Sequence, residues 1–185
     1  TDLTSGINLN TDGGNNAYLM TSSGGSVFGG RTALTVEVQY SIANNASLDN
    51  PLVSYNVSGT DNEFFLLISA TGRISVAIDG QTVTTTGTFS QLLDGKQHSV
   101  AASWDNTNGD IRYYINGQLV ETRTGIKVGV TLDGGGTLVI GQEQDLVNGG
   151  FSAAQRFSGT MFGIRVWDRA VSDEQLSRTY QQNFA

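Results

Sequence analysis

Asp94 to Val120 reads DGKQHSVAASWDNTNGDIRYYINGQLV, and the pattern of this stretch decides the fold. Ser99 to Trp104 (SVAASW) alternates apolar and polar residues, the period of a strand that lays one face on a core. The polar Asp105 to Asp110 (DNTNGD) then turns the chain. Ile111 to Ile115 (IRYYI) runs into Asn116-Gly117 and on into Gln118 to Arg123 (QLVETR). Asn-Gly between two β-runs suits a two-residue turn whose central residues both take φ > 0, which makes it the strongest short-range hairpin signal. The stretch predicts three consecutive antiparallel strands.

The same reading extends in both directions. Leu34 to Ser41 (LTVEVQYS) and Arg73 to Ile78 (RISVAI) alternate in the same way, and Asp79-Gly80 before QTVTTT repeats the hairpin device. Phe64 to Ile68 (FFLLI) is apolar at every position, as expected of a strand covered on both faces in the middle of a sandwich, and Thr137 to Ile140 (TLVI) is a shorter version. Asp12 to Asn16, Ser22 to Ser26 and Ile42 to Asn50 are loops by composition. The one helix expected is late and short: Ser172 caps Asp173-Glu174-Gln175-Leu176, acidic in its first turn, and is expected to lie across one end of the sheets. Many short strands with turn signals predict an all-β fold, a two-sheet antiparallel β-sandwich or jelly roll with one short C-terminal helix. At 185 residues the chain suits a single domain, residues 1–185. It opens on Thr1, as a piece excised from a larger protein or a mature form does.

Composition narrows the function. The formal net charge is −7 with only 10 Lys and Arg, so there is no basic footprint for nucleic acid or an anionic membrane. No apolar run reaches the roughly 20 residues of a membrane-spanning helix. With no Cys and a single His, neither disulfides, thiolate sites nor histidine-rich metal sites can form, and a Ser-His-Asp triad is remote. His98 reads as a surface or strand-edge residue, and Trp104 and Trp167 as core. Asp133 to Gly136 (DGGG) is a flexible turn; it lacks the strand-to-helix setting of a phosphate loop.

One cluster asks for chemistry. Gly141 to Asp145 (GQEQD) follows TLVI and packs two carboxylates and two carboxamides together. It could be a solvated turn, half of a glycosidase acid/base pair, or a set of oxygen ligands for a hard cation. Calcium takes about 6–8 oxygen ligands from carboxylates, amides and carbonyls, which is the mixture present. In an extended backbone Glu143 and Asp145 point the same way and Gln144 faces away, leaving its backbone carbonyl as its natural contribution. The hydrolase reading needs Glu-x-Asp-x-x-Glu. Residues 143–148 supply Glu-Gln-Asp-Leu-Val-Asn, so Asn148 stands at the acid/base position, and an amide cannot cycle a proton there.

Three segments resemble a known superfamily. Asp94 to Val120, and Phe157 to Leu176 (FSGTMFGIRVWDRAVSDEQL), look like the laminin-G-like, concanavalin A-like jelly roll. Between them, LVIGQEQDLVNGGFSAAQRFSG is similar to the calcium-binding segment of the pentraxins, and Asp61-Asn62 matches the Asp-Asn pair which that site draws from a distant strand. The resemblance implies a first calcium held by Asp61, Asn62, Glu143, the Gln144 carbonyl and Asp145, and a second shared by Glu143, Asp145 and Gln155. The family's further carboxylate for the second site falls at Ser152, which weakens that site.

Two other departures stand out. The family's disulfide positions fall at Glu37 and Ala101. The aromatic and the Glu of its phosphocholine pocket fall at Leu67 and near Thr82, so that specificity is not expected; Phe65 lies nearby but is read as facing the other way. The resemblance therefore implies a calcium-dependent, lectin-like binding module, extracellular or at a cell surface, in a bacterial adhesin or secreted multidomain protein. The ligand expected is a glycan or another oxygen-rich group such as a peptide or protein carboxylate, and the isolated domain is expected to be monomeric. The alternative readings are a structural or protein-interaction domain with a purely structural calcium and, more remotely, a laminarinase-type hydrolase.

Overall fold

Alternation along the strands builds two six-stranded antiparallel sheets in the computed structural model, which describes residues 5–10, 17–42 and 48–184. The first sheet contains β1 (Ile7–Leu9), β12 (Gly159–Trp167), β3 (Ala33–Ile42), β8 (His98–Asp105), β9 (Asp110–Ile115) and β10 (Gln118–Arg123), in that spatial order. The second runs β2 (Leu19–Thr21), β11 (Thr137–Ile140), β4 (Asn50–Val57), β5 (Thr60–Ile68), β6 (Ile74–Ile78) and β7 (Gln81–Thr84). The opening stretch supplies β8, β9 and β10 as neighbours, with DNTNGD as a polar turn. Asn116 and Gly117 turn at φ 51° and 73°, and Asp79-Gly80 repeats the geometry at 45° and 74°.

Inward-facing side chains form one core: Val36, Val38 and Tyr40 of β3 with Val100, Ala102 and Trp104 of β8 on one side, and Tyr55, Phe64, Leu66 and Val76 on the other. The polar ends of the buried aromatics are satisfied. Trp104 Nε1 donates to the Ile126 carbonyl (3.1 Å), and the Tyr113 hydroxyl to that of Val83 (2.9 Å). Phe64 to Ile68 is buried on both faces, as its composition predicts.

Several expectations change. Gly25–Phe28 forms a single helical turn, α1, inside and just beyond the stretch read as loop, and Ser90–Leu93 forms a 3₁₀ turn. The loop expected over residues 12–16 lies outside the described residues, as does the part of the Ile42 to Asn50 loop over residues 43–47. The C-terminal helix α2 (Asp173–Phe184) is 12 residues long. It is capped as expected, the Gln175 amide donating to Ser172 Oγ at 3.2 Å. It does not cross the end of the sheets but lies on the outer face of the first sheet, where Val171 and Leu176 pack on Ala101 and Tyr114. Trp167 joins this small cluster rather than the main core, because it sits on the outward side of β12. A Cβ at Gly117 would come within 2.9 Å of Ser177 Cα, so glycine also lets the helix approach the hairpin.

His98 is buried, not superficial: it pairs with Asp94 (3.0 Å) and with the Asn116 amide (3.2 Å) once the hairpin brings them together. Phe65 faces outward with Leu67, and the two form an apolar cluster with Ala77 on the outer face of the second sheet. Two positions along one strand share a face, so Phe65 cannot oppose Leu67. Glu37 and Ala101 are direct cross-strand partners. Glu37 is buried on the outer face of the first sheet, accepting from the Ser99 hydroxyl (2.8 Å) and Arg165 Nη1 (3.4 Å). Burial raises its pKa despite those two donors.

Candidate metal centre

The two halves of the site meet because of strand order. β11 pairs antiparallel with β4, which turns directly into β5, so Thr137, opposite Asn56, lies beside the β4–β5 turn, whereas Ile140, opposite Val53, leaves the sheet away from it. The chain then folds back toward that turn, where the Gln144 carbonyl accepts from Asn56 Nδ2, and residues 141–157 are held by the Glu143 amide donating to the Gln155 carbonyl (3.2 Å) and the Phe157 amide to that of Gly141 (2.9 Å). Asn62 sits at φ 59°, a left-handed conformation that Asn tolerates better than most residues, just before β5 enters its buried run.

Carboxylate oxygens of Asp61, Glu143 and Asp145 lie within 4.8 Å of one another. Asp61 and Asp145 are exposed, whereas Glu143 is 2% exposed. Burial pushes the Glu143 carboxyl up to about 7, with the charges of Asp145 and then Asp61 adding to it. Both Glu143 carboxylate oxygens, Asn62 Oδ1 and Gln142 Oε1 are buried and meet no hydrogen-bond donor. Buried polar groups are normally paired, and a buried carboxylate with no donor on either oxygen, set among two further carboxylates, is what a bound cation resolves. All are oxygens, and no nitrogen or sulfur ligand stands among them, so the residues fit a hard divalent cation.

Gln144 faces away, as expected. Its Nε2 donates to the carbonyls of Ser54 (3.1 Å) and Thr137 (2.8 Å), and its Oε1 accepts from the Asn148 amide (3.3 Å). Gln155 is brought alongside by backbone pairing. Ser152, at the weak point of the expected second site, uses its hydroxyl to accept from the Ala154 amide (3.2 Å). Asn148 Oδ1 accepts from the Thr137 hydroxyl (2.6 Å) and its backbone stands at φ 63°, so the hydrolase motif ends in a turn residue tied to β11. Asn56, which sequence reasoning missed, stands between the two halves, donating to both. A buried Asn inside the largely apolar PLVSYNV run is the signal that could have found it, since strands disfavour Asn.

These features define a jelly-roll domain with an oxygen-lined acidic cage at one end of its second sheet. The chain belongs to the Pentaxin family, which matches residues 32–185. It is 35% identical over 124 residues to rat "Sushi, von Willebrand factor type A, EGF and pentraxin domain-containing protein 1", covering 67% of this chain and 3% of that protein. To bovine serum amyloid P-component it is 32% identical over 130 residues, covering 70% of this chain and 56% of the other. Among solved structures, a heptameric serum amyloid P-like pentraxin of Limulus polyphemus superposes with a TM-score of 0.70 at 25% identity, over 81% of this chain and 70% of that one. The chain thus spans between a few per cent and just over half of these sequence relatives. Pentraxins are non-catalytic binding proteins of extracellular fluid, and the domain is accordingly extracellular and not an enzyme. None of these relatives supports the bacterial adhesin setting.

Proposed function

We propose that the chain is a calcium-dependent ligand-binding domain within a secreted protein, its 185 residues acting as one lectin-like unit. Asp61, Asn62, Glu143, the Gln144 carbonyl and Asp145 hold one calcium, and Gln155 contributes to a second, weaker one. The observation that carries the reading is the buried Glu143 carboxylate with both oxygens unpartnered. A fully buried carboxylate without a donor is expensive, and a divalent ion removes the cost. When bound, calcium supplies open coordination positions to a ligand oxygen.

The exposed side of the cage opens onto a cleft of about 440 Å³ between the β4–β5 turn and Leu146-Val147, large enough for a sugar unit. No basic side chain lines it, so an oxygen-rich ligand such as a glycan, or the carboxylate of a peptide, is recognised through the ion. The test is a glycan and peptide array with calcium and again with chelator, repeated with Asp145→Asn. Binding that survives both chelator and the substitution would rule out capture through the metal.

A further inference from the structure

Asn56 is a buried polar residue (1% exposed) on β4, and its side chain makes three hydrogen bonds, all to cage residues. Nδ2 donates to Asp61 Oδ1 (3.2 Å) and to the Gln144 carbonyl (2.6 Å), and Oδ1 accepts from the Asn62 amide (2.8 Å). It thereby touches both the β5 half of the cage and the loop half. Resting on the calcium reading above, we propose that Asn56 is the positioning residue of this centre: its carboxamide sets the distance between the two halves before any ion arrives. It holds two of the proposed ligand oxygens, Asp61 Oδ1 and the Gln144 carbonyl, and it fixes the Asn62 backbone in its left-handed turn. Gln144 completes the arrangement from the other side, its carboxamide bound to the carbonyls of Ser54 and Thr137, so the Gln144 backbone is clamped between β4 and β11. Groups that orient metal ligands commonly change affinity by about 10–100-fold when removed.

A substitution separates positioning from charge. Asn56→Asp keeps the size of the side chain and an acceptor for the Asn62 amide, but has no N–H for Asp61 or Gln144, and it adds a negative charge beside the site. If only nearby charge mattered, the ion would bind more tightly. Positioning by the amide donor requires the opposite.

The experiment uses terbium luminescence as a spectroscopic signature of the loaded cage, with calcium competition titrations, on the wild type, Asn56→Asp, Asn56→Ala and Thr35→Val. Thr35 is a buried hydroxyl on the other sheet, bonded to Ser103 and Arg169, so its loss lowers stability without touching the cage. Expected are Kd values raised at least about 10-fold in both Asn56 variants and unchanged in Thr35→Val. An Asn56→Asp variant that binds as tightly as the wild type, or more tightly, overturns the proposal while leaving the calcium reading intact. Equal weakening in Thr35→Val overturns it as well, by tracing the loss to stability alone. A wild-type chain that gives no terbium signal and no calcium isotherm sinks both readings together.

Discussion

Asp61 at the start of β5 and Glu143 in the loop after β11 bring carboxylate oxygens within 4.8 Å of each other, one exposed and one buried. Without an ion this is a repulsive arrangement, and its relief should be measurable as stability. Calcium at about a hundredfold excess over Kd is expected to stabilise the fold by about 2.7 kcal/mol. That is a rise in Tm of several degrees for a chain of this size. Glu143→Gln should abolish that rise and make the ion-free protein more stable than the wild type. Differential scanning calorimetry with calcium and with chelator checks both; a wild-type Tm that does not respond to millimolar calcium refutes the prediction.

The same carboxyl predicts a pH dependence of definite sign. Glu143 titrates at about 7 in the ion-free fold, against an ordinary value of 4.5. The folded state therefore holds its proton more tightly than the unfolded chain. The contribution to stability is full below about pH 4.5, declines as pH rises, and is lost above about pH 7. It is on the order of 3 kcal/mol. Because calcium displaces that proton, affinity should increase over the same window. Chelated wild type should lose stability between these pH values relative to Glu143→Gln, measured by urea titration at each pH. Parallel curves for the two proteins would contradict it.

What the sequence disclosed, and what it hid, divides along physical lines. β8, β9 and β10 were legible because alternation and an Asn-Gly turn are local properties of a few residues. Asp61-Asn62 and GQEQD were each visible, but their meeting depends on β11 pairing with β4, a long-range register that no local pattern encodes; resemblance supplied it. Asn56 reads as one polar residue in a strand, and its three bonds exist only after both halves arrive. For α2 the cap and the acidic first turn were readable, but neither states how far the helix runs or which surface it will cover. His98 looked exposed because its partners Asp94 and Asn116 reach it only through the 3₁₀ turn and the hairpin.

The outer face of the second sheet bears on ligand choice. Phe65, Ala77 and Thr82 stand in one cross-strand row, followed by Leu67, Ser75 and Thr84. The row has apolar and hydroxyl groups but no carboxylate to pair with a quaternary ammonium, and Leu67 offers no aromatic face for it. Phosphocholine immobilised on a resin is therefore expected not to retain the domain in the presence of calcium. Calcium-dependent retention, released by free phosphocholine, would show that other residues supply the missing charge.

The helix on the other sheet is an independent test of the packing. Ser172→Ala removes the cap on the Gln175 amide and is expected to cost about 1 kcal/mol. Leu176→Ala opens a hole against Ala101 and Tyr114 and is expected to cost about 2–4 kcal/mol. Calcium affinity should be unchanged in both, since α2 lies on the sheet remote from the cage. A shift in Kd in either variant would mean that the two faces are coupled.

Glu37 and Ala101 offer the sharpest check of register, because they face each other on adjacent antiparallel strands where the family resemblance places a disulfide. Directly opposed residues in such a pair have Cα atoms about 4.5–5.5 Å apart. A disulfide spans about 4.4–6.8 Å. The double variant Glu37→Cys, Ala101→Cys should therefore close on oxidation without backbone movement. No other Cys exists in the chain to scramble with it. The cost is the buried bond network of Glu37 with Ser99 and Arg165, but that carboxylate is desolvated and its net worth small. Closing the long loop between the strands is expected to leave the oxidised form about 2–4 kcal/mol more stable than the reduced one. Thiol titration and paired melts with and without reductant check it. Two thiols that stay free under oxidation would place β3 and β8 in a different register.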